Sequence, residues 1–557
     1  MEKNKKMDLR IKLTLLILLS LIAAIPAWCC TSLIAGKKAT LDGSTMITYA
    51  ADSHVLYGEL YRYPAADHKK GEMRVVKDWD TYKYLGEIPE VTHTYSVVGN
   101  MNEHQLAIAE STWGGRPELI DTTGIIDYGS MIYITLQRAK TAREAIKVMT
   151  DLANTYGYAS SGESFSIADP NEVWIMEMIG KGNVEKGVVW VAIRIPDDCI
   201  SGHANQARIH QIPFGDKENC MYSEDVISFA RKQGYYQGKD EDFSFSKAYA
   251  VYDYLALRGC DARVWAYYNM YADDMGRYFD WCDGNLDAEI LPLYVKPRKK
   301  VSVNDMKQAM RDHFDGTQFD MHNDIGGGPW KCPYRFRPLT FKVDGIEYTN
   351  ERAIATQQTG FSFVAQVRNW LPDNIGGVLW FGVDDANTCV YVPMYCSMTE
   401  VPNSYKVGNG DLLNLSWDAA FWVNNYVANQ AYGRYSLMID DIRKVQKGIE
   451  SKLENEQNAI EAKALEMAKT SPEEASKMLN EYSVSIAENT TKRYKELGDY
   501  LLVKFLDGNV KKEANGKFER TPEGCPVSPN QPGYDEKYYE NIVKEAGKHF
   551  RMKDVKL

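Results

Sequence analysis

The segment with the most evident chemistry is Cys29-Cys30-Thr31-Ser32, which follows an apolar stretch near the start of the chain. A cysteine that became the first residue of a processed chain would carry a thiol nucleophile together with a free α-amine. The amine, with a pKa of about 8, can take the thiol proton, so no distant histidine is needed. This combination points to hydrolysis of an amide bond through a thioester.

The stretch before Cys30 has the form of an export signal. Five basic and two acidic residues lie at or before position 12, and residues 13–26 form an apolar run of signal-peptide length, short for a membrane span. Signal peptidase could cut after Cys29, or it could cut after Ala27 and leave a short propeptide for self-removal. Lipidation is disfavoured because bulky Trp28 precedes Cys29. We expect a bacterial protein exported to the periplasm or secreted, with the membrane as a partner only during export.

Composition indicates a large globular protein. The chain has 557 residues, of which 44% are hydrophobic, and a net charge of −11. Removal of a net basic leader would make the rest still more acidic, so nucleic acid is excluded as a partner. The ten cysteines show neither CxxC pairs nor Cys/His spacing, which argues against zinc. Some of them could pair in an oxidising compartment, whereas others would be small buried residues.

The patterning around Cys30 predicts a hairpin that begins at the nucleophile. Residues 31–35 and 44–49 are strand-like and flank a turn at Asp42-Gly43. Residues 164–168, 173–177 and 188–195 predict further strands. Between these blocks, Thr141 and Glu144 form a capping box at the start of an amphipathic helix.

The C-terminal part differs in composition from the rest. Residues 440–506 are rich in Glu, Lys, Ala, Leu and Gln and predict a long helical hairpin, which we interpret as an appendage. A Pro/Gly-rich connector at 515–534 and a short helix at 536–550 follow.

Residues 30–47, CTSLIAGKKATLDGSTMI, resemble the opening of the dipeptidase A family of N-terminal nucleophile (Ntn) cysteine hydrolases. The resemblance continues in order over roughly residues 30–430. The segments that carry it are 129–157, 162–165 (GESF), 168–170 (ADP), Trp174, 203–209 (HANQARI), 380–384 (WFGVD) and 391–395 (YVPMY).

The resemblance implies an α+β fold, namely a four-layer αββα Ntn-hydrolase sandwich with a C-terminal helical appendage. It divides the chain into a signal or propeptide at 1–29, a catalytic domain at 30–435 and a charged helical region at 436–557. The implied activity is that of an exported cysteine dipeptidase that hydrolyses short peptides with a free N-terminus. No cofactor and no metal are implied, and a homo-oligomer is left open.

The resemblance also assigns roles to residues. Cys30 is the nucleophile, Asp52 is the acidic residue at the end of the second strand, and Asn205 supplies an amide donor to the oxyanion. Asp52 could instead be a solvated turn residue, and Asn205 could simply cap a turn. Ser111 and Thr112 match a family segment that lines the pocket.

One position departs from the family pattern, since Tyr49 stands where many relatives have an arginine. Either Tyr49 donates a neutral hydrogen bond near the thiol, or a distant arginine compensates. Arg368 is the substrate-site candidate for that cation, with Arg194 and Arg208 as further candidates.

Two other functions stay open. The same nucleophile could act on non-peptide acyl amides. Loss of the arginine could instead leave an exported peptide-binding protein with weakened catalysis. A metal or phosphate loop at residues 322–328, suggested by His322 and three glycines, is disfavoured because no phosphate-loop motif frames it.

Overall fold

The computed structural model describes residues 30–553. The expected signal segment therefore lies outside the described residues. Within them, no helix combines the length and the apolar character that crossing a membrane requires.

Antiparallel strands form most of the core. In chain order the strands are β1 (Ser32–Ala35), β2 (Thr45–Asp52), β3 (Arg62–Tyr63), β4 (Ala66–Asp67), β5 (Met73–Lys77), β6 (Tyr84–Pro89), β7 (His93–Thr94), β8 (Val97–Val98), β9 (Met101–Asn102), β10 (Ala107–Gly114), β11 (Gly162–Ala168), β12 (Val173–Gly180), β13 (Val188–Arg194), β14 (Ile200–His203), β15 (Cys220–Tyr222), β16 (Tyr294–Val295), β17 (Thr340–Val343), β18 (Ile346–Thr349), β19 (Thr359–Val367), β20 (Val378–Val383), β21 (Val392–Tyr395), β22 (Glu513–Ala514) and β23 (Lys517–Phe518).

The helices lie mostly outside the sheets. They are α1 (Tyr128–Leu136), α2 (Ala142–Tyr156), α3 (Val226–Lys232), α4 (Phe245–Tyr249), α5 (Tyr254–Ala256), α6 (Ala262–Tyr271), α7 (Phe279–Cys282), α8 (Val303–Ala309), α9 (Asp373–Gly376), α10 (Ala420–Gly433), α11 (Tyr435–Ala468), α12 (Pro472–Lys504) and α13 (Glu536–Ala546).

Two large sheets face each other. The first sheet has seven strands in the order β16-β14-β1-β2-β19-β20-β21, and the second has eight in the order β15-β13-β12-β11-β10-β9-β8-β3. Strands β1 and β2 of the first sheet contact β10 and β11 of the second. Helices α6, α8, α10, α11 and α12 contact the first sheet, whereas α1 and α2 contact the second. The α+β class is therefore confirmed, and the strands nearest Cys30 lie where the two sheets meet.

Local sequence signals account for the elements near Cys30. Strands β1 and β2 pair antiparallel around the turn that contains Gly43, which has a φ of +89°. Helix α2 begins as predicted, with the Thr141 side chain accepting a hydrogen bond from the backbone N–H of Glu144.

The long helices α11 and α12 belong to the main core rather than forming a separate appendage. They pack against each other and against strand β21. Buried Leu453, Leu479 and Tyr494 lie in the same hydrophobic cluster as Cys30 and the first sheet. The charged composition that suggested an appendage comes mainly from the exposed faces of these helices, although Glu450 and Glu461 are buried.

The nine cysteines within residues 30–553 are all free thiols, so the pairing expected for some of them is not found. Seven of the nine are buried, which fits the expectation of small buried residues.

Candidate active site

Cys30 lies directly before β1, at the end of the first sheet. The next residue, Thr31, exchanges backbone hydrogen bonds with Ala50 of β2, with N···O distances of 3.2 and 2.9 Å. This pairing brings Cys30 beside the end of β2, where Asp52 is located. Cys30 has only 4% of its surface exposed.

The Cys30 thiol has two polar neighbours. Its Sγ donates to Glu110 Oε1 at 3.2 Å and lies 3.7 Å from the hydroxyl of Tyr49. Tyr49 donates a short hydrogen bond to the same Glu110 oxygen. Burial, reinforced by the nearby charges of Glu110 and Asp52, raises the pKa of the Cys30 thiol well above its ordinary value. The thiol is therefore held protonated in this arrangement.

Tyr49 adopts the neutral hydrogen-bonding arrangement that its position suggested. Its ring packs edge-on against Phe361 and Phe363 of β19, which fixes the hydroxyl beside Glu110. Burial raises the pKa of Tyr49 well above its usual value, so the hydroxyl keeps its proton.

Asp52 is a buried residue rather than a solvated turn residue, with 2% of its surface exposed. Thr359 donates to its Oδ1 at 2.7 Å. Burial raises the pKa of Asp52 to about 7, and the Thr359 hydrogen bond and the charge of Arg263 limit the rise. This carboxyl group therefore changes protonation near neutral pH.

Arg263 supplies a cation that the sequence interpretation did not identify. Its Nη1 donates to the Cys30 carbonyl at 2.8 Å and to Thr31 Oγ1 at 2.7 Å. Its Nη2 donates to the carbonyl of Ala204 at 2.9 Å and to Asn205 Oδ1 at 3.0 Å. The guanidinium thus ties the nucleophile segment to the segment that carries Asn205.

Asn205 lies after β14 with a φ of +60°, a left-handed conformation that asparagine tolerates. Its Oδ1 accepts from Arg263 and from Arg352, the latter at 2.7 Å. Its Nδ2 donates to the Thr112 carbonyl at 2.6 Å, and its backbone N–H donates to Ser111 Oγ at 3.1 Å. The structure thus brings Asn205, Ser111 and Thr112 together, with Asn205 bound to Nη2 of Arg263 and the Cys30 carbonyl bound to Nη1.

His203 links the two sheets beneath this site. Its Nδ1 lies 2.6 Å from Ser111 Oγ, and its Nε2 lies 2.8 Å from Ser166 Oγ. Burial lowers the pKa of His203 to about 3, so the ring is neutral and bridges the two hydroxyl groups.

The structure does not bring the other candidate arginines to the thiol. Arg368 is buried and makes a bidentate ion pair with Glu461 of α11, with both N···O distances 2.7 Å. Arg194 pairs with Glu172 and Asp197. Arg208 donates to backbone carbonyls, among them that of Gly202. Each of these three guanidinium groups thus makes structural ion pairs or hydrogen bonds away from the thiol.

The resemblance placed Glu110 in the segment Glu110-Ser111-Thr112 that lines the pocket, but sequence reasoning gave no role to Glu110 or Glu163 and did not identify Arg263. Glu110 had a further signal, because it is the one charged residue of the strand Ala107–Gly114. Arg263 follows a π-helical turn at Leu257–Asp261, a feature common at functional sites but not readable from the sequence.

One group of side chains outside this site has the donor set of a metal site. Ligand atoms of His313, Asp315 and His322 lie within 4.8 Å of one another. In the described structure, His322 Nδ1 lies 3.3 Å from Asp315 and 3.2 Å from Asp320, so these groups also pair among themselves. None of the hydrogen bonds described for the Cys30 site involves His313, Asp315 or His322.

Comparison with known proteins identifies the family of this chain. The model of Peptidase family C69 matches residues 29–448, a range that includes Cys30 and every residue described around it. A probable dipeptidase of Latilactobacillus sakei is 28% identical over 398 residues, which cover 68% of this chain and 76% of that protein. A probable dipeptidase of Salmonella dublin is 27% identical, covering 66% and 81%. Dipeptidase A of Lactobacillus helveticus is 26% identical, covering 72% and 81%.

The match includes the nucleophile segment, both large sheets and the helix that carries Arg263. The chain belongs to peptidase family C69, and it is a peptidase, a hydrolase of peptide bonds.

Proposed function

We propose that this protein is a cysteine dipeptidase of the N-terminal nucleophile class, active after the chain has been cleaved before Cys30. The observation that carries the proposal is the setting of Cys30. The buried thiol of Cys30 contacts Glu110 and Tyr49, while Arg263 donates to the backbone carbonyl of Cys30. The antiparallel sheets with helices on their outer faces fit the αββα sandwich of that class.

In this proposal, cleavage before Cys30 supplies an α-amine that acts as the base. The α-amine takes the proton of the thiol, directly or through a water molecule, and Sγ attacks the carbonyl carbon of the peptide bond. The leaving amine departs with a proton, which leaves a thioester on Cys30. Water then hydrolyses the thioester, with the same amine acting as the base.

The neighbouring groups have distinct parts in the mechanism. Asp52, beside the chain start, can hydrogen-bond the new ammonium group and orient it. Asn205 would stabilise the oxyanion through its amide N–H groups, one of which already binds the Thr112 carbonyl. Arg263 holds the Cys30 and Asn205 segments in register.

We also propose that residues 1–29 direct export to the periplasm or the exterior and are then removed, by signal peptidase or by self-cleavage. Short peptides would be the substrates. The dipeptidase names of the relatives from Latilactobacillus sakei and Lactobacillus helveticus support this substrate class.

The first test is the mass and N-terminal sequence of the exported protein, with a start at Cys30 as the expected result. Cys30→Ser and Cys30→Ala should then lose dipeptide hydrolysis by at least about a hundredfold, because a hydroxyl is a much weaker nucleophile here. Cys525→Ser is the matched control, since this cysteine is exposed and lies outside the site. Near-normal activity of Cys30→Ser, or a stable start before Cys30, would contradict the mechanism.

The second candidate function, hydrolysis of non-peptide acyl amides, keeps the same nucleophile. It predicts turnover of N-acylated amides at rates comparable with free dipeptides. An exported binding protein would instead bind peptides without a steady-state rate that depends on Cys30.

A further inference from the structure

Two buried glutamates lie side by side next to the nucleophile. Glu110 is on β10 and Glu163 is on the neighbouring strand β11, where Thr112 is the direct partner of Glu163. Glu110 and Thr112 are two residues apart, so both glutamates point to the same face of the sheet. Neither has any exposed surface. They form what we name the carboxyl pair.

The two carboxyl groups hydrogen-bond each other, which requires a proton on one of them. Glu110 Oε1 accepts from Cys30 Sγ and Tyr49, and Glu163 Oε1 accepts from Thr112 Oγ1 at 2.7 Å. The Oε2 atom of each glutamate is fully buried and accepts from no other side chain. Buried oxygens of this kind cost free energy unless a ligand or a proton satisfies them.

The carboxyl pair also lacks a counter-ion. Among residues 30–553, no Lys, Arg or His forms an ion pair with either glutamate, and the main influences on Glu163 besides burial are Glu110, Thr112 and Asp80. Burial raises the pKa of both glutamates, and the proximity of Glu110 adds to the rise for Glu163. Without a cation, the carboxyl pair therefore holds at least one proton.

We infer that the Glu110–Glu163 carboxyl pair is the subsite that binds the α-ammonium group of the substrate. The inference rests on the proposed function, in which the substrate is a short peptide with a free N-terminus. In such a substrate the α-nitrogen lies about 2.5 Å from the carbonyl carbon that Sγ attacks, two bonds away. The carboxyl group of Glu110 lies close to the attacking atom, with its Oε1 3.2 Å from Sγ.

The chemistry of the two partners is complementary. An ammonium group offers three N–H donors and a positive charge, whereas the carboxyl pair, once its shared proton leaves, offers two buried Oε2 acceptors and a negative charge. Binding of the ammonium would place the scissile carbonyl beside the thiol. An N-acylated substrate lacks the charge and brings an additional group into a region with no exposed surface.

The test compares alanyl-alanine with propionyl-alanine, which has hydrogen in place of the amine. The wild type should favour alanyl-alanine in kcat/KM by at least about a hundredfold. Glu163→Gln should reduce that preference at least about tenfold, mainly through KM, because it removes the charge but keeps the size of the side chain. Glu163→Asp, which keeps the charge, should restore part of the preference.

Glu177→Gln is the matched control, because Glu177 is a buried glutamate on the adjacent strand β12 whose oxygens accept from the backbone of Arg208 and Ile209. It should leave the substrate preference unchanged. A wild type that hydrolyses both compounds equally would overturn the inference and leave the peptidase activity standing. Equal losses on both compounds in Glu163→Gln would also overturn it, because the carboxyl pair would then serve the Cys30 amine rather than the substrate.

If the wild type hydrolysed neither compound, the proposed function would fail on its own. Calorimetric binding of the same two compounds to wild type and Glu163→Gln would then decide the inference. Tighter binding of alanyl-alanine that is lost in Glu163→Gln would support it, and equal binding would overturn it.

Discussion

Arg263 organises the candidate site at the scale of single residues. Besides a bond from Nε to the carbonyl of Gly259 in its own helical segment, the fully buried guanidinium donates through Nη1 and Nη2 to two backbone carbonyls and two side-chain oxygens on two other segments. Because the donors of arginine form a rigid planar fork, this one side chain fixes Cys30 relative to Asn205. Lysine, with a single point of charge, cannot make these four bonds in the same geometry.

We therefore expect Arg263→Lys to lower kcat by about a hundredfold or more even where the protein stays folded, because a displacement of the reacting groups by 1 Å has an effect of this order. Steady-state kinetics on a dipeptide, at a temperature where circular dichroism shows the native signal, would measure it. Arg277→Lys is the control, since Arg277 forms an exposed ion pair with Glu289. A folded Arg263→Lys variant with kcat within threefold of wild type would contradict the positioning role.

The site residues found from sequence and those missed differ in how the chain brings them together. Cys30, Tyr49 and Asp52 lie on one hairpin whose turn could be recognised, so their proximity follows from local pairing. Glu110 reaches Cys30 across 80 residues and Arg263 across 233. Those contacts depend on how the two sheets and helix α6 pack, which no local pattern encodes.

At the scale of elements, two buried ion pairs attach helix α11 to the segment after β19 and to the segment after helix α8. Arg368, just after β19, binds Glu461, and Arg311 binds Glu450 at 2.7 and 3.0 Å. Arg368 also donates to the carbonyls of Ile375 and Gly376, so it joins three segments. The role of this arginine is thus structural in this fold.

Glu461→Ala should reduce the free energy of unfolding by about 3–5 kcal/mol, because it leaves the Arg368 charge buried without its partner. Chemical denaturation would measure the loss. Glu456→Ala, which breaks an exposed pair with Lys452, should change the stability by less than about 0.5 kcal/mol. At a permissive temperature kcat/KM of Glu461→Ala should stay within threefold of wild type; a large rise in KM would instead return Arg368 to the substrate site.

A buried carboxyl group on β12 makes stability depend on pH. Glu177 accepts backbone N–H groups of Arg208 and Ile209, and burial raises its pKa to about 7. Between pH 4.3 and 7 the unfolded chain releases this proton while the folded chain retains it, so the contribution of Glu177 to stability falls as pH rises.

Glu177→Gln removes this titration. Its stability relative to wild type should therefore increase by about 3 kcal/mol between pH 4 and pH 7.5. Urea unfolding of both proteins at the two pH values would measure the change, and taking the difference cancels the other titrating groups that the two proteins share. A difference that does not vary with pH would mean that the folded-state pKa of Glu177 is ordinary.

The elements that could be predicted have strong local signals. The turn at Asp42-Gly43, the N-cap at Thr141 and the long helices α11 and α12 follow from turn chemistry, capping and composition, although the Glu144 side chain accepts from the backbone of Lys140 rather than completing the capping box. The two-residue strands β3, β8 and β9 do not, because their pairing depends on neighbours in the second sheet rather than on their own residues.

At the scale of the whole molecule, the helical C-terminal region divides into a part that completes the core and a part that does not. Helices α11 and α12 contribute buried Met438, Ile442 and Leu501, and Tyr494 donates to the Thr388 carbonyl at 2.7 Å. Helix α13, in contrast, has no buried residue. Composition alone treats residues 436–557 as one region, because it does not reveal which helix faces meet the sheet.

Two truncations test this division. A chain that ends at Arg434 lacks α11 and α12. The apolar surface of β20 and β21 would then be exposed, and Arg311 and Arg368 would lose their ion-pair partners. We therefore expect this chain to be insoluble or unfolded. A chain that ends at Glu519 loses only α13 and the segment before it, and should keep the melting temperature within a few degrees and full dipeptidase activity. Soluble expression with circular dichroism and an activity assay would compare them. A folded, active chain ending at Arg434 would show that the sandwich is a domain in its own right and that the long helices are an appendage after all.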